Sequence, residues 1–225
     1  MKGLQVKDPL PIVGMVVMGI AAVAAAAVSW VGWPDMVDTL EEAIGPNRRP
    51  SVATKEMVAA GIPVLLAVLA VLPWPLLRAN RRIERAEAEY RLSNADARSR
   101  ARGLSIVWCG LTAVLLSLHV CLVGEMTGRT MPMYVVLAVA FGVFLMTFAY
   151  AIPHFRRDPA SIPPSMRAAA DRFDRGYRRA VPILRATAAV TVVLGVLWPI
   201  AALVVGTVGM CSALLVAATS GTVDS

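Results

Sequence analysis

The sequence predicts an all-α fold, a polytopic transmembrane helix bundle with five or six spans. Of its 225 residues 57% are hydrophobic and the mean hydropathy is +0.65, above the roughly 45–50% apolar usage of soluble domains. Four apolar runs have the length that crosses a bilayer. The formal charge of +7 gathers between those runs instead of within them, as a topology signal does. The chain is therefore read as a single integral membrane domain, 1–225, whose first partner is the lipid bilayer.

The first span covers 11–31 and follows Lys2 and Lys7. Its apolar stretch exceeds the roughly 7–15 residues of a signal-peptide core, so despite the small residues Ala24 to Ala27 it reads as an uncleaved helix. Ala21, Ala25 and Ser29 recur every fourth residue and form a face suited to close helix packing. The second span covers 57–77, the third 104–123 and the fourth 131–152. The tract 181–218 is too long for one straight crossing and is interrupted by Arg185, Pro199, Gly206 and Gly209. It reads as one span plus an apolar tail, or as two spans that reverse near Trp198 and Pro199, since proline suits the first turn of a new helix.

The connecting segments orient the bundle. In the loop 32–56, Asp35, Asp38, Glu41, Glu42 and Glu56 outweigh Arg48, Arg49 and Lys55, and Pro34, Gly45, Pro46, Asn47 and Pro50 break regular structure. Segments 78–103 and 154–180 are rich in arginine instead, from Arg78 to Arg102 and from Arg156 to Arg179. The positive-inside rule places both arginine-rich segments and the N-terminus in the cytoplasm, and the acidic loop outside. Both cytoplasmic segments are expected to be helical extensions of the spans. Arg85 with Glu89, Glu87 with Arg91, Asp171 with Arg175 and Asp174 with Arg178 stand at helical spacing, and Ser161, Pro163 and Pro164 signal a helix start.

Spans one to four hold no Asp, Glu, Lys or Arg in their interiors, which argues against an ion-coupled transporter, whose buried charges each cost at least about 2.5 kcal/mol. His119 is the one histidine of those spans. It reads as a neutral imidazole bonded to a neighbouring helix, ahead of a proton relay or a ligand contact shared with Glu125. Glu125 and Arg129 are a candidate pair in the short outer loop, although exposed pairs carry little energy. Arg185 is a candidate cation in the last tract, its plainer reading being a side chain that reaches back to the headgroups.

Other chemistry is not expected. The arginines suit anionic lipid but form neither a Walker A motif nor a stacking platform, so no nucleic acid is expected. Cys109, Cys121 and Cys211 make no CxxC or Cys/His cluster, so no metal or cofactor is expected. There is no GxSxG, no HExxH and no pair of intramembrane aspartates, so no enzyme is expected. His154 stands beside Arg156 and Arg157 at the end of span four.

Trp33-Pro34-Asp35 after the first span, Gly45-Pro46-Asn47-Arg48, and Lys55 before a Pro63-containing second span resemble the N-terminal module of SdpI-like bacterial membrane proteins. Phe141-Gly142 and Tyr150-Ala151-Ile152-Pro153-His154-Phe155-Arg156-Arg157 are similar to that family's fourth span. Thr39-Leu40-Glu41 stands where the family has a His, and Asp158-Pro159-Ala160-Ser161-Ile162-Pro163 where it has a Gly-x-Arg-Thr-Pro-Trp motif. The resemblance implies a six-helix protein of the bacterial inner membrane whose best-known type protects its producer from a secreted antimicrobial peptide. It also implies a regulatory protein partner at the membrane, and it adds Pro34 and Asp35 to the candidate residues. Three expectations stand: a non-enzymatic immunity or sensor protein, a structural or accessory subunit of a membrane complex, and a small-molecule permease component with a path along Ser117, His119, Thr147 and Tyr150.

Overall fold

Inside hydrocarbon every backbone N–H and C=O must find a partner within the chain, and a helix meets that demand within a single segment. A computed structural model describes residues 10–39, 53–75, 94–155, 162, 164 and 167–219. Six α-helices lie among the described residues: α1 (Ile12–Gly32), α2 (Lys55–Val71), α3 (Asn94–Met126), α4 (Met133–Ala151), α5 (Arg167–Leu197) and α6 (Pro199–Thr219). Each belongs to a stretch long and apolar enough to cross a membrane. The protein is an all-α, multi-pass membrane protein. Expectations resting on Lys2, Lys7, Leu40, Glu41, Glu42, Gly45 to Pro50, Arg78 to Arg91, Arg156, Arg157, Asp158 to Ser161 and Pro163 lie outside the described residues.

Consecutive helices run antiparallel. Ser29 of α1 reaches Ala59 of α2, and Trp108 of α3 reaches Leu69 of α2. Gly142 of α4 lies on Ala188 and Val192 of α5, while Gly195 lies on Ala138. α1 and α3 consequently run parallel, with Gly14 against Ser105 and Trp108 and Gly32 against Val123. The small-residue face read on α1 is buried together with Gly14 and Met18, and Met18, Ala21 and Ala25 pack with Leu66 and Ala70 of α2. A second cluster, built on Leu145, Ala149, Leu184, Ala188 and Ala213, joins α4, α5 and α6.

The tract 181–218 forms two helices, so six helices among the described residues are long and apolar enough to cross a membrane. α5 ends at Leu197 and α6 begins at Pro199, leaving Trp198 alone between them. The Trp198 amide donates to Leu194 O at 2.6 Å and its carbonyl accepts from the Ala202 amide at 3.0 Å. Backbone bonds therefore continue through the reversal, and Pro199 occupies a first-turn position where no amide is needed. This is why a hairpin forms without polar turn residues.

The arginine-bearing ends continue the spans. α3 starts at Asn94 and α5 at Arg167, so both helices run well past the apolar windows first read as 104–123 and 181–218. Arg178 Nε donates to Asp174 Oδ2 at 3.0 Å, at the predicted four-residue spacing. α2 begins at Lys55 because Thr54 caps it, its Oγ1 accepting from the Met57 amide at 3.4 Å. Exposed Trp30, Val31, Val193, Val204 and Val208 fit a surface solvated by lipid.

Candidate functional site

Pro63 stands inside α2. Proline has no amide N–H, so the carbonyl of Ala59, four residues earlier, loses its donor within the helix. Ser29 of α1 supplies one, its hydroxyl donating to Ala59 O at 2.9 Å. The same Oγ lies 2.9 Å from Nε2 of His119 on α3, and Nε2 lies 2.9 Å from Ala25 O. A carbonyl only accepts and the serine hydrogen is directed at Ala59, so these partners assign the imidazole proton to Nε2, from which it is donated to both. One serine and one histidine thereby tie three helices together.

His119 is fully buried, and its Nδ1 has no hydrogen-bond partner among the described residues. A buried acceptor left this way costs about 1–3 kcal/mol. The geometry matches a neutral imidazole bonded to a neighbouring helix. Glu125, six residues further along α3, is turned about 240° around the axis and is half-buried. Arg129 is exposed beyond the turn at Gly128, whose φ is +71°. No ion pair joins Glu125 to Arg129 among the described residues. The structure does not bring His119, Glu125 and Arg129 into one site.

Nor do Ser117, His119, Thr147 and Tyr150 line one path. His119 faces α1, whereas Thr147 bonds Phe144 O at 2.8 Å and lies against Gly110 of α3. Tyr150 is 62% exposed and meets His154 edge-on with centroids 6.0 Å apart.

Above the Ser29–His119 pair, residues 33–39 close one end of the bundle. Trp33-Pro34-Asp35 form a single 3-10 turn, after which Met36 inserts between Val58, Val123 and Met126. Val37 N donates to Met126 O and Lys55 N to Asp38 O, each at 3.0 Å, and Thr39 forms an isolated antiparallel bridge with Thr54. Lys55 Nζ lies 4.6 Å from the centroid of the Trp33 ring and donates to Met36 O at 3.2 Å. Two stretches quoted in the resemblance, Trp33-Pro34-Asp35 and Lys55, therefore meet in space. Asp35 is exposed beside them.

Beneath this cap, α1 and α2 leave a groove of about 730 Å³ walled by Ala26, Trp30, Trp33, Ala60, Pro63 and Val64, with Ser29 on its floor. Small-molecule sites occupy roughly 300–1,000 Å³. Glu56 is the one charged residue of the lining; its carboxylate is held by its own amide and the Thr54 hydroxyl, with the Lys55 charge next to it. Pro34 belongs to the lining as well, while Arg185 lies on α5, outside it.

Sequence reasoning missed Glu56 and Ser29 as site residues. A proline in a span with a serine on the preceding span was the available signal, because a freed carbonyl in hydrocarbon requires a donor. The three cysteines are free thiols, and no group of three or more metal-ligating side chains occurs among the described residues. Compared with known proteins, the chain matches no family model, no curated protein and no solved structure.

Proposed function

We propose that the protein is a non-catalytic immunity or sensor protein of a bacterial inner membrane, with the N-terminus cytoplasmic and the Trp33 end outside. In this reading the α1–α2 groove receives an apolar, cationic segment of a secreted antimicrobial peptide, and the arginine-bearing ends of α3 and α5 face a regulatory partner. One observation carries it: an apolar groove at the loop-capped end of the bundle holds a single charged side chain, the exposed carboxylate of Glu56.

The chemistry of the groove selects such a ligand. Its alanine, proline and tryptophan walls favour an apolar side chain arriving from the bilayer. A lysine or arginine next to that side chain would pair with Glu56 and lie over Trp30 or Trp33, a contact worth about 0.5–2 kcal/mol. Exposed Asp35 and Asp38 add negative potential at the same end, which speeds the encounter with a cation. The positive-inside rule supports the orientation, since the arginine-bearing ends of α3 and α5 lie opposite the Trp33 end, where Arg129 is the arginine among the described residues.

Survival is the test. Cells producing the full chain are expected to withstand a cationic membrane-active peptide better than cells lacking it. Ala60→Trp, which fills the groove, and Glu56→Lys, which reverses its charge, should each abolish the protection. Equal protection by both variants at equal membrane abundance would overturn the assignment.

A further inference from the structure

Among the described residues two helices contain an internal proline, and they treat the carbonyl it frees differently. In α2 the carbonyl freed by Pro63 accepts from Ser29. In α5, Pro182 removes the amide that would bond the carbonyl of Arg178, and no described side chain donates to that carbonyl. Arg178, Pro182 and Arg185 are all exposed. At 3.6 residues per turn the three positions lie within about 60° of one another, on a single face of the helix.

Depth distinguishes the two arginines. Measured back from Leu197 at about 1.5 Å per residue, Arg178 lies about 28 Å along α5 and Arg185 about 18 Å. A hydrocarbon core of about 30 Å thus puts Arg178 at the boundary and Arg185 about two turns inside it. Exposed Ala186, Ala189 and Val193 follow on the same side, and Arg185 has no ion-pair partner among the described residues. A lipid-facing charge at this depth requires a counter-charge. Helical side chains lean toward the N-terminus, so the Arg185 guanidinium reaches back toward Arg178. Arg178 is 68% exposed and gives its Nε to Asp174, which leaves its terminal N–H groups free to donate.

We propose that Arg178, Arg185 and the freed Arg178 carbonyl form a binding site for an anionic glycerophospholipid whose head group carries a hydroxyl. The phosphate accepts from both guanidinium groups, the hydroxyl donates to the carbonyl, and an acyl chain lies along Ala186, Ala189 and Val193. The site is independent of the groove at the other end of the bundle.

Native mass spectrometry of the full chain in neutral detergent tests it, with phosphatidylglycerol, phosphatidylmethanol and phosphatidylcholine supplied at equal concentration. Phosphatidylmethanol is anionic but lacks a head-group hydroxyl. The wild type should retain phosphatidylglycerol first and phosphatidylcholine last. Arg185→Ala should weaken phosphatidylglycerol binding about fivefold, which is about 1 kcal/mol for one arginine, while Arg172→Ala, exposed on a different face, should leave it unchanged. Pro182→Ala restores the amide, so it should erase the preference for phosphatidylglycerol over phosphatidylmethanol and keep both above phosphatidylcholine. Wild-type lipid binding by Arg185→Ala, an equal loss in Arg172→Ala, or an intact preference in Pro182→Ala would overturn the proposal.

Discussion

The α1–α2 seam and the α4–α6 half hold together by different means, although Gly14 and Gly32 also seat α1 closely on α3. In α1–α3, side chains reach across to backbone carbonyls: Ser29 to Ala59, His119 to Ala25, and Trp108 Nε1 to Leu69 O at 3.1 Å. In α4–α6, glycines let neighbouring helices touch: Gly142 beneath Ala188 and Val192, Gly206 beneath Phe141 and Thr191, Gly209 beneath Thr187, and Gly176 on Ala217. Lipid gives little hydrophobic drive for helices to associate, so close packing and interhelical hydrogen bonds carry that task. A half closed on glycines leaves little room between its helices. A half tied by a few directional bonds can keep a groove between α1 and α2, and that is where the candidate site lies.

The largest expected effect tests the steric half. A Cβ at Gly209 would run into Thr187 and one at Gly176 into the backbone of Ala217, and backbone cannot rotate away. Gly176→Val should destabilise the fold by about 3 kcal/mol, the upper end of the range for overpacking. Gly209→Leu should cost somewhat less, because a threonine side chain can yield. Unfolding of the full chain in mixed detergent micelles measures both, and a Gly176→Val protein as stable as wild type would show that α5 and α6 are not in contact there.

The polar half is probed by a mutant cycle. Ser29→Ala leaves the Ala59 carbonyl without a donor, at an expected cost of about 1–2 kcal/mol. Pro63→Ala gives that carbonyl an amide from its own helix, so in its presence Ser29→Ala should cost no more than about 0.5 kcal/mol. The difference is the coupling energy that such a cycle isolates. Equal costs in both backgrounds would mean that the serine acts through something other than the proline-freed carbonyl.

These contrasts also mark what could be read from the chain. The spans were legible because bilayer thickness sets their length, and the burial of Ala21, Ala25 and Ser29 was legible because helical periodicity puts them on one face. The reversal at Trp198 stayed open because its bonds are all backbone. Glu56 was counted only as loop charge, since its place in a groove depends on where Trp33 and Pro34 fold back. That fold depends on Met36 entering a cluster built from Val58, Val123 and Met126, contacts far apart in sequence that no local pattern encodes.

A smaller effect is expected at the cap. Lys55→Met removes the bond to Met36 O and the contact with Trp33, together worth about 0.5–1 kcal/mol near a wet surface. Residues 33–39 should then exchange their amide hydrogens several-fold faster while the helices keep their protection. Unchanged exchange would show that the bridge between Thr39 and Thr54 and the burial of Met36 hold the cap unaided.

The smallest effect carries the opposite sign. Gly61 lies on α2, exposed, with nothing within 4 Å of an added Cβ, and it is not part of the groove lining. Alanine there gains helix propensity, about 0.8–1 kcal/mol in water, and meets no neighbour, so Gly61→Ala should stabilise the protein by about 0.5 kcal/mol. At Gly142 the same change sets a Cβ 2.6 Å from Val192 Cγ2 and 3.2 Å from Ala188 O, and should destabilise. The two variants differ from wild type by one methyl group each, so the sign of the difference reports the local packing of α2 and α4. A shared sign would mean that glycine contact is not what separates the halves, and the groove would then need a different explanation from the looseness of α1 against α2.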